Sequence, residues 1–465
     1  MKHIDIEDVH RGNDNLEVFL FNVGQGDHIM LKFPNMEYGL IDFFYDTEIG
    51  VLEPPCLTYF RELERTLDSS EFEKITISFF CISHTDKDHV KGICETVEWF
   101  DSHGIFIREF WLGAARDEAQ LINFLESRTN SAIKDLLPLI KKKNHSKQID
   151  LYKDGINGFF KAFNRWKKKE FSSIRYKRDS TGKGEYLHDI RGLKNPCSTH
   201  YSRATNIGPL YSQLDGYINN LTIEILYRIL KIKDNHNQID KNLLSHILKI
   251  EFGNKMLMFG GDTHKDIWEE CIETYLDPSN PYRELHGRLD SNFIKVSHHG
   301  SSNSSSATIW ENILCQQGAV YLGISAGQHE GYKHPHSATM SEIRKCRSDV
   351  DILATNICGS CTNLVNIERE LHSWYDKGIK NCPKYKPVKP SKEDKDIDYM
   401  FDKTRYIEKP SVAKSRKNLG LLAYIFEVPK NDKEEVKVRF ALAQTIKSHG
   451  CFYKGHTEKL YTECK

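Results

Sequence analysis

The six-residue segment His84-Thr85-Asp86-Lys87-Asp88-His89 holds two imidazoles and two carboxylates. Imidazole nitrogen combined with carboxylate oxygen suits divalent ions of the zinc, manganese or iron type. The segment directly follows Ile75-Thr76-Ile77-Ser78-Phe79-Phe80-Cys81-Ile82, an apolar run of strand length. A turn leaving a strand end can aim alternate side chains into one cleft, so this stretch reads as the beginning of a metal site. Polar groups of the same character recur after other strand-like runs. They are Asp42, Gly260-Gly261-Asp262, Ser297-His298-His299-Gly300-Ser301 and, through a glycine-containing loop, His334-Pro335-His336. Strand ends along one edge of a layered sheet converge on a common cleft, which would bring these segments together. Asp262 is the best candidate for a carboxylate shared by two ions, because the two preceding glycines allow close approach.

The elements that must position these residues are legible in outline. Strands are expected at Leu16–Val23, His28–Phe33, Tyr38–Asp42, Ile75–Ile82 and Arg108–Leu112, with helices over Thr58–Leu67 and from Val90 to His103. After a polar middle stretch, strand character returns at His246–Phe252 and Lys255–Phe259, joined by a hairpin turn, and again at Asn292–Val296 and Ala319–Ile324. A helix is expected over Lys265–Tyr275, with Gly-Asp-Thr before it in a position to cap. Strands meeting helices through short loops indicate a layered α/β or α+β domain.

The 465 residues suffice for a large core, and 65 basic against 65 acidic side chains leave no bulk charge to argue for nucleic acid or membrane. The first residues lack the apolar core of a signal peptide and no apolar run approaches the ~20 residues of a membrane span, so a soluble, cytoplasmic protein without membrane association is expected. Cysteines such as Cys81, Cys94, Cys271 and Cys315 lie in apolar segments and are expected to be reduced core residues. Cys358-Gly359-Ser360-Cys361 has no second pair to complete a zinc site.

Asn22-Val23-Gly24-Gln25-Gly26-Asp27, Leu40-Ile41-Asp42, the His84–His89 segment, Gly261-Asp262 and His298-His299-Gly300-Ser301, in this order, resemble the metallo-β-lactamase fold. More narrowly they resemble the soluble hydrolase domain of ComEC-type competence proteins, in which Asp replaces the second His of His-x-His-x-Asp-His, as Asp86 does here. The resemblance implies an α+β chain folded as a four-layer αββα sandwich. The resemblance lies in a first part of that domain (1–117) and a second part (242–369), whose Thr355–Ile367 resembles the family's final strand. Polar composition marks the stretch between them as a partly helical insertion (118–241), loop-like over Ser172–Gly208, and the remainder as a C-terminal extension (370–465) with a last pair of strand-like runs at Leu421–Val428 and Val436–Leu442. The resemblance assigns His84 and Asp86 to one metal, Asp88, His89 and His298 to a second, and Asp262 to both, with Zn2+ or Mn2+ as the ions. Asp42, His299, His334 and His246 are then expected around the ligands or against substrate. His246 follows Asn242-Leu243-Leu244-Ser245, where most of the family carries a further metal-binding histidine, so occupancy of the first metal position is the open question.

The implied activity is metal-dependent hydrolysis of a phosphodiester through a metal-activated water, with Asp88, Asp262 and His336 as catalytic residues and DNA ahead of RNA as substrate. Basic and aromatic residues at Lys141, Lys142, Lys143, Arg165, Trp166 and Lys167 are candidates for nucleic-acid contact. A solvated helix face explains such runs equally well. Two other readings stand beside this one. The first is hydrolysis of a small phosphoester or cyclic nucleotide, and the second is a non-catalytic sensor or effector subunit working with a partner protein in a defence-type system.

Overall fold

The computed structural model describes residues 15–21, 23–47, 53–84, 86–108, 110–112, 202–210, 213, 241–279, 289–326, 334–355, 405–407, 421–427, 437–443 and 450–452. It is an α+β structure built on two mixed β-sheets with helices packed against them. The first sheet contains β1 (Leu16–Phe21), β2 (His28–Phe33), β3 (Glu37–Phe43), β4 (Thr76–Ile82), β5 (Phe106–Ile107) and β6 (Phe110–Leu112). The second contains β7 (Ser202–Gly208), β8 (Ile247–Phe252), β9 (Lys255–Phe259), β10 (Phe293–Lys295), β11 (Tyr321–Ile324) and β12 (Asp351–Ala354). Short β13 (Arg405–Ile407) and β16 (Gly450–Phe452) pair with each other, whereas β14 (Leu421–Glu427) and β15 (Lys437–Ala443) extend the first sheet.

Strand periodicity divides each strand between two apolar clusters. In β1, Leu16, Val18 and Leu20 enter a core shared with residues of the second sheet such as Leu248, Ile250 and Phe293, while Phe19 and Phe21 face a cluster beneath helices. That cluster is closed by α1 (Pro55–Thr66) and, beyond α2 (Ser69–Phe72) and α3 (Lys87–Val90), by α4 (Ile93–Ser102). On the far side of the second sheet, α5 (Lys265–Leu276), α6 (Ala307–Ile313) and α7 (Ser337–Cys346) close a third cluster. In α5 the buried residues Trp268, Cys271, Ile272 and Tyr275 recur at the spacing of a helix stripe. Cys56, Cys81, Cys271 and Cys315 are buried thiols.

Three elements differ from their sequence expectation for identifiable reasons. The helix expected from Val90 to His103 is interrupted at Gly92, whose N–H donates to the Phe43 carbonyl at 2.8 Å. A Cβ there would lie 2.4 Å from that same oxygen, so the chain touches β3 at the break. The helix expected at Thr58 begins at Pro55, a residue preorganised for a first helical turn. Ser202–Gly208, inside the stretch read as a loop-like part of the insertion, is a strand of the second sheet paired antiparallel to β8. Its polar sequence gives little strand signal, because an edge strand is held by backbone pairing on one side. The strand-like runs expected at Leu421–Val428 and Val436–Leu442 are strands at 421–427 and 437–443, which pair antiparallel with β1 and with each other as part of the first sheet. Tyr424 and Phe426 enter the shared core, and the Tyr424 hydroxyl donates to the Leu322 carbonyl at 3.2 Å. The stretch read as the last strand, Thr355–Ile367, is described only at Thr355, and the strand before it is β12.

What matters for function is the polarity of the parallel strands. β3 and β4 run parallel in one sheet, and β9, β10 and β11 run parallel in the other. Their C-terminal ends carry Asp42, Ser83-His84, Gly260-Gly261-Asp262, Ser297-His298-His299 and Ser325. The two edges are stitched together where the His246 N–H donates to the Ser83 carbonyl at 3.0 Å. Among the described residues, no helix is long and apolar enough to cross a membrane.

Candidate metal centre

At the junction of the two edges, ligand-type atoms of Asp88, His89, Asp262 and His299 all lie within 4.8 Å of one another. His89 Nε2 is 3.3 Å from Asp262 Oδ2, and His299 Nε2 is 3.5 Å from the same oxygen and 3.6 Å from Asp88 Oδ2. The backbone that brings them there is unusual. His298 (φ 49°) and His299 (φ 54°) are consecutive non-glycine residues in the left-handed region. Such conformations cost about 1–3 kcal/mol each and persist only when their surroundings enforce them, which is frequent at functional sites. Asp262 is presented by a turn whose Gly261 has φ 48°, and its N–H is tied to Ser245 Oγ at 2.7 Å. It does not cap α5, which starts after His264 without a side-chain cap.

The hydrogen bonds around the donors decide which ring nitrogens face inward. His89 Nδ1–H donates to Asp42 Oδ2 at 2.7 Å, which leaves Nε2 directed at Asp262. Asp42 also accepts from the Ser83 N–H at 2.8 Å and the Ser83 hydroxyl at 2.7 Å, so its lone pairs are engaged in orientation. His84 Nδ1 lies 3.1 Å from Ser83 Oγ, so the same carboxylate orients a second imidazole through a serine. His299 Nδ1–H donates to the Ser325 carbonyl at 2.8 Å. In each ring the second nitrogen is held and Nε2 is turned to the cluster, the arrangement by which neighbouring groups orient metal-binding histidines. Nε2 of His84, His89 and His299 and Oδ1 of Asp262 are buried without a hydrogen-bond partner. Buried polar atoms are ordinarily paired, so this convergence of unpaired lone pairs fits a divalent cation.

The electrostatics agree. Burial alone would lower the pKa of His89, but the Asp262, Asp42 and Asp88 carboxylates hold it well above the usual imidazole range. His299 is likewise raised against burial, chiefly by Asp262 and by the Asp88 carboxylate 3.6 Å from its Nε2. Burial would raise Asp262, yet His299 and His89 hold it well below the usual carboxylate range. Asp88, pushed upward by burial, is brought down to about 2 chiefly by the neighbouring imidazoles of His89 and His299. Carboxylates this strongly ionised around basic imidazoles make a group that could hold a cation in place of protons.

The other sequence candidates are spread around this group. His84 Nε2 is 3.7 Å from Asp86 Oδ2, beside the four donors, and burial together with His89 lowers the His84 pKa. His298 Nε2 is 3.9 Å from Asp262 Oδ2, so the geometry reverses the order in which the sequence ranks the two adjacent histidines. It is His299 that reaches both carboxylates. His246 Nδ1 lies 3.2 Å from Asn206 Oδ1, burial lowers its pKa to about 4, and it is not among the residues whose ligand-type atoms converge. His334 accepts from Gln25 Nε2 at 3.0 Å, and His336, half-buried, accepts at Nδ1 from the Ser302 N–H at 3.0 Å. His264, His298, His334 and His336 form a row of rings with successive centroids 5.5, 5.5 and 4.9 Å apart. Lys141, Lys142, Lys143, Arg165, Trp166 and Lys167 lie outside the described residues, as do Cys358 and Cys361.

Sequence reasoning missed four participants. Ser83 and Ser245 have no distinguishing local signal, and His264 follows Asp262-Thr263 without a recognised pattern. Lys295 did carry a signal, because a lysine inside the apolar run Phe293-Ile294-Lys295-Val296 must find a partner if the strand is buried on both faces. Compared with protein-family models and with curated proteins, the chain matches none.

Proposed function

We propose that this chain is a metal-dependent hydrolase of phosphodiester bonds, folded as an αββα sandwich of the metallo-β-lactamase type. The single observation that carries the reading is the convergence of Asp88, His89, Asp262 and His299 with buried, unpaired Nε2 and Oδ1 atoms. The order of the apolar clusters supports the sandwich, since helices flank each sheet and the sheets share the core between them. Asp88, His89, Asp262 and His299 hold the better-provided ion, of the zinc or manganese type. His84 and Asp86, with Asp262, would hold a second ion more weakly, because His84 and Asp86 are not among the residues whose ligand-type atoms converge within 4.8 Å. When bound, such an ion supplies Lewis acidity toward a phosphoryl oxygen and makes water a stronger acid.

The chain's own residues supply orientation and substrate contact. Asp42 and Ser325 hold the tautomers of His89 and His299, and the row His264–His298–His334–His336 offers N–H groups to phosphoryl oxygens at the edge of the site. Burial lowers His298 to about 4 and His334 to about 3, with neighbouring imidazoles adding to the shift in His334, and burial lowers His336 as well. His336 accepts at Nδ1, so its proton sits on Nε2, and at neutral pH it holds a phosphate oxygen rather than protonating a leaving group. The favoured substrate is nucleic acid, with DNA ahead of RNA.

The test is to measure bound metal on the purified chain. It is then incubated with bis-p-nitrophenyl phosphate, single- and double-stranded DNA, and RNA, with Mn2+ or Zn2+. Cleavage that is lost in Asp262→Ala, while unfolding stays cooperative, is the expected result. A chain that binds no ion and leaves every substrate intact would overturn the reading. Cleavage of the small ester alone would move the substrate to a small phosphoester.

A further inference from the structure

Beneath the four donors lies an ion pair that the metal reading does not use. Lys295, at the end of β10, and Asp27, at the entry to β2, have side chains with 0% exposure, and Lys295 Nζ donates to Asp27 Oδ2. Fully buried charges of this kind are rare and costly unless paired. This pair joins the two sheets at the level of the donors. Lys295 Nζ also donates to the Gly261 carbonyl at 3.3 Å, immediately before Asp262, and that carbonyl accepts the His298 N–H at 2.9 Å. The Asp27 N–H donates to the Asp88 carbonyl at 3.0 Å. Asp27 Oδ1, which has no hydrogen-bond partner, lies 3.6 Å from His299 Nδ1.

The backbones carrying Asp88 and Asp262 and the ring of His299 are thus all referenced to one ion pair, although they come from separate loops. We propose that Asp27 and Lys295 are positioning residues that set the spacing of the donor loops across the two sheets, and with it the affinity of the site for its ion. The inference rests on reading those donors as a metal site. Neither residue is assigned contact with substrate. An apolar pair of equal volume could fill the space, but it could not donate to the Gly261 carbonyl.

The experiment uses the full chain and manganese ion, with affinity measured by titration calorimetry well below each variant's unfolding midpoint. The variants are Asp27→Asn, Lys295→Met, the charge-neutral double, and Lys32→Met. Lys32 pairs with Glu17 at 3.8 Å, also in a buried setting, at the end of β1 and β2 opposite the Gly24–Gly26 turn. Affinity is expected to fall about 10- to 100-fold in each of the first three, with the double no weaker than the poorer single, and to stay at the wild-type value in Lys32→Met. Wild-type affinity in folded Asp27→Asn and in the double, or an equal loss in Lys32→Met, overturns the positioning role and leaves the metal site standing. If Lys295→Met does not unfold cooperatively, Asp27→Asn and the double decide. A wild-type chain that binds neither Mn2+ nor Zn2+ overturns the metal reading itself.

Discussion

Replacing Asp42 by Asn should weaken metal binding without reshaping the site. Asp42 has φ 58°, a conformation that Asn tolerates about as well as Asp, whereas Ala would add backbone strain to the effect. The carboxylate accepts three hydrogen bonds, two at Oδ2 from His89 Nδ1 and Ser83 Oγ and one at Oδ1 from the Ser83 N–H. An amide has one acceptor oxygen. If that oxygen faces His89, the amide NH2 meets the Ser83 N–H, and a buried donor left unpaired costs about 1–3 kcal/mol. If the amide is flipped, His89 must accept at Nδ1, which moves its proton to Nε2, the atom facing Asp262. Either outcome disfavours the ion. Loss of a group that orients a metal-binding histidine typically costs 10- to 100-fold in affinity, or about 1.4–2.7 kcal/mol. Titration calorimetry with Mn2+ and competition with a chelator would measure the affinity, and urea unfolding would verify the fold. Wild-type affinity in a cooperatively folded Asp42→Asn protein would refute the argument that Asp42 sets the His89 tautomer.

Metal binding should release protons, because neighbouring carboxylates raise both His89 and His299 and an ion at Nε2 must displace a proton held there. Affinity should therefore rise with pH by up to about two protons per ion, read by calorimetry in buffers of different ionisation enthalpy; no proton release would contradict it. His28 is buried against Phe21 and Phe43, and burial lowers its pKa to about 4. Because the unfolded state binds the proton more readily, His28 stabilises the fold fully above pH 6.5 and progressively less as pH falls toward 4, with about 2 kcal/mol lost between pH 7 and pH 5. In His28→Phe, the decline of the urea midpoint over that range should be smaller by that amount, and an unchanged decline would contradict the assignment. Gly261→Ala combines a φ of 48° with a Cβ placed 2.2 Å from Ser245 Oγ. It should cost about 1–3 kcal/mol in urea unfolding and disturb Asp262, so unchanged stability and metal affinity together would argue against a tight turn there.

Single sites and short elements were legible before the fold was known, for local reasons. The hairpin at Phe252–Lys255, the strands ending at Phe43 and Ile82, and the stripe of α5 follow from alternation, helical spacing and turn residues within a few positions. Less legible were the elements whose partners are distant in sequence. β7 and β14 carry their meaning only through pairing with β8 and β1, and neither partner can be read from a local window. Gly92 interrupts a good helical pattern because Phe43, far away in the chain, occupies the space beside it.

The candidate site divides in the same way. The sequence by itself determined the chemistry on offer: His84, Asp86, Asp88, His89, Asp262 and the His298-His299 pair lie at strand ends, and side chains of these types at such places suit a divalent cation. Only the tertiary structure decided which of them meet. It chose His299 over His298 through two consecutive left-handed residues, turned His246 toward Asn206, and placed Asp27 and Lys295 under the donors from opposite sheets. Residue type is a local property, whereas the direction of a lone pair depends on backbone torsions and on hydrogen bonds from chain segments that meet only when the two sheets pack.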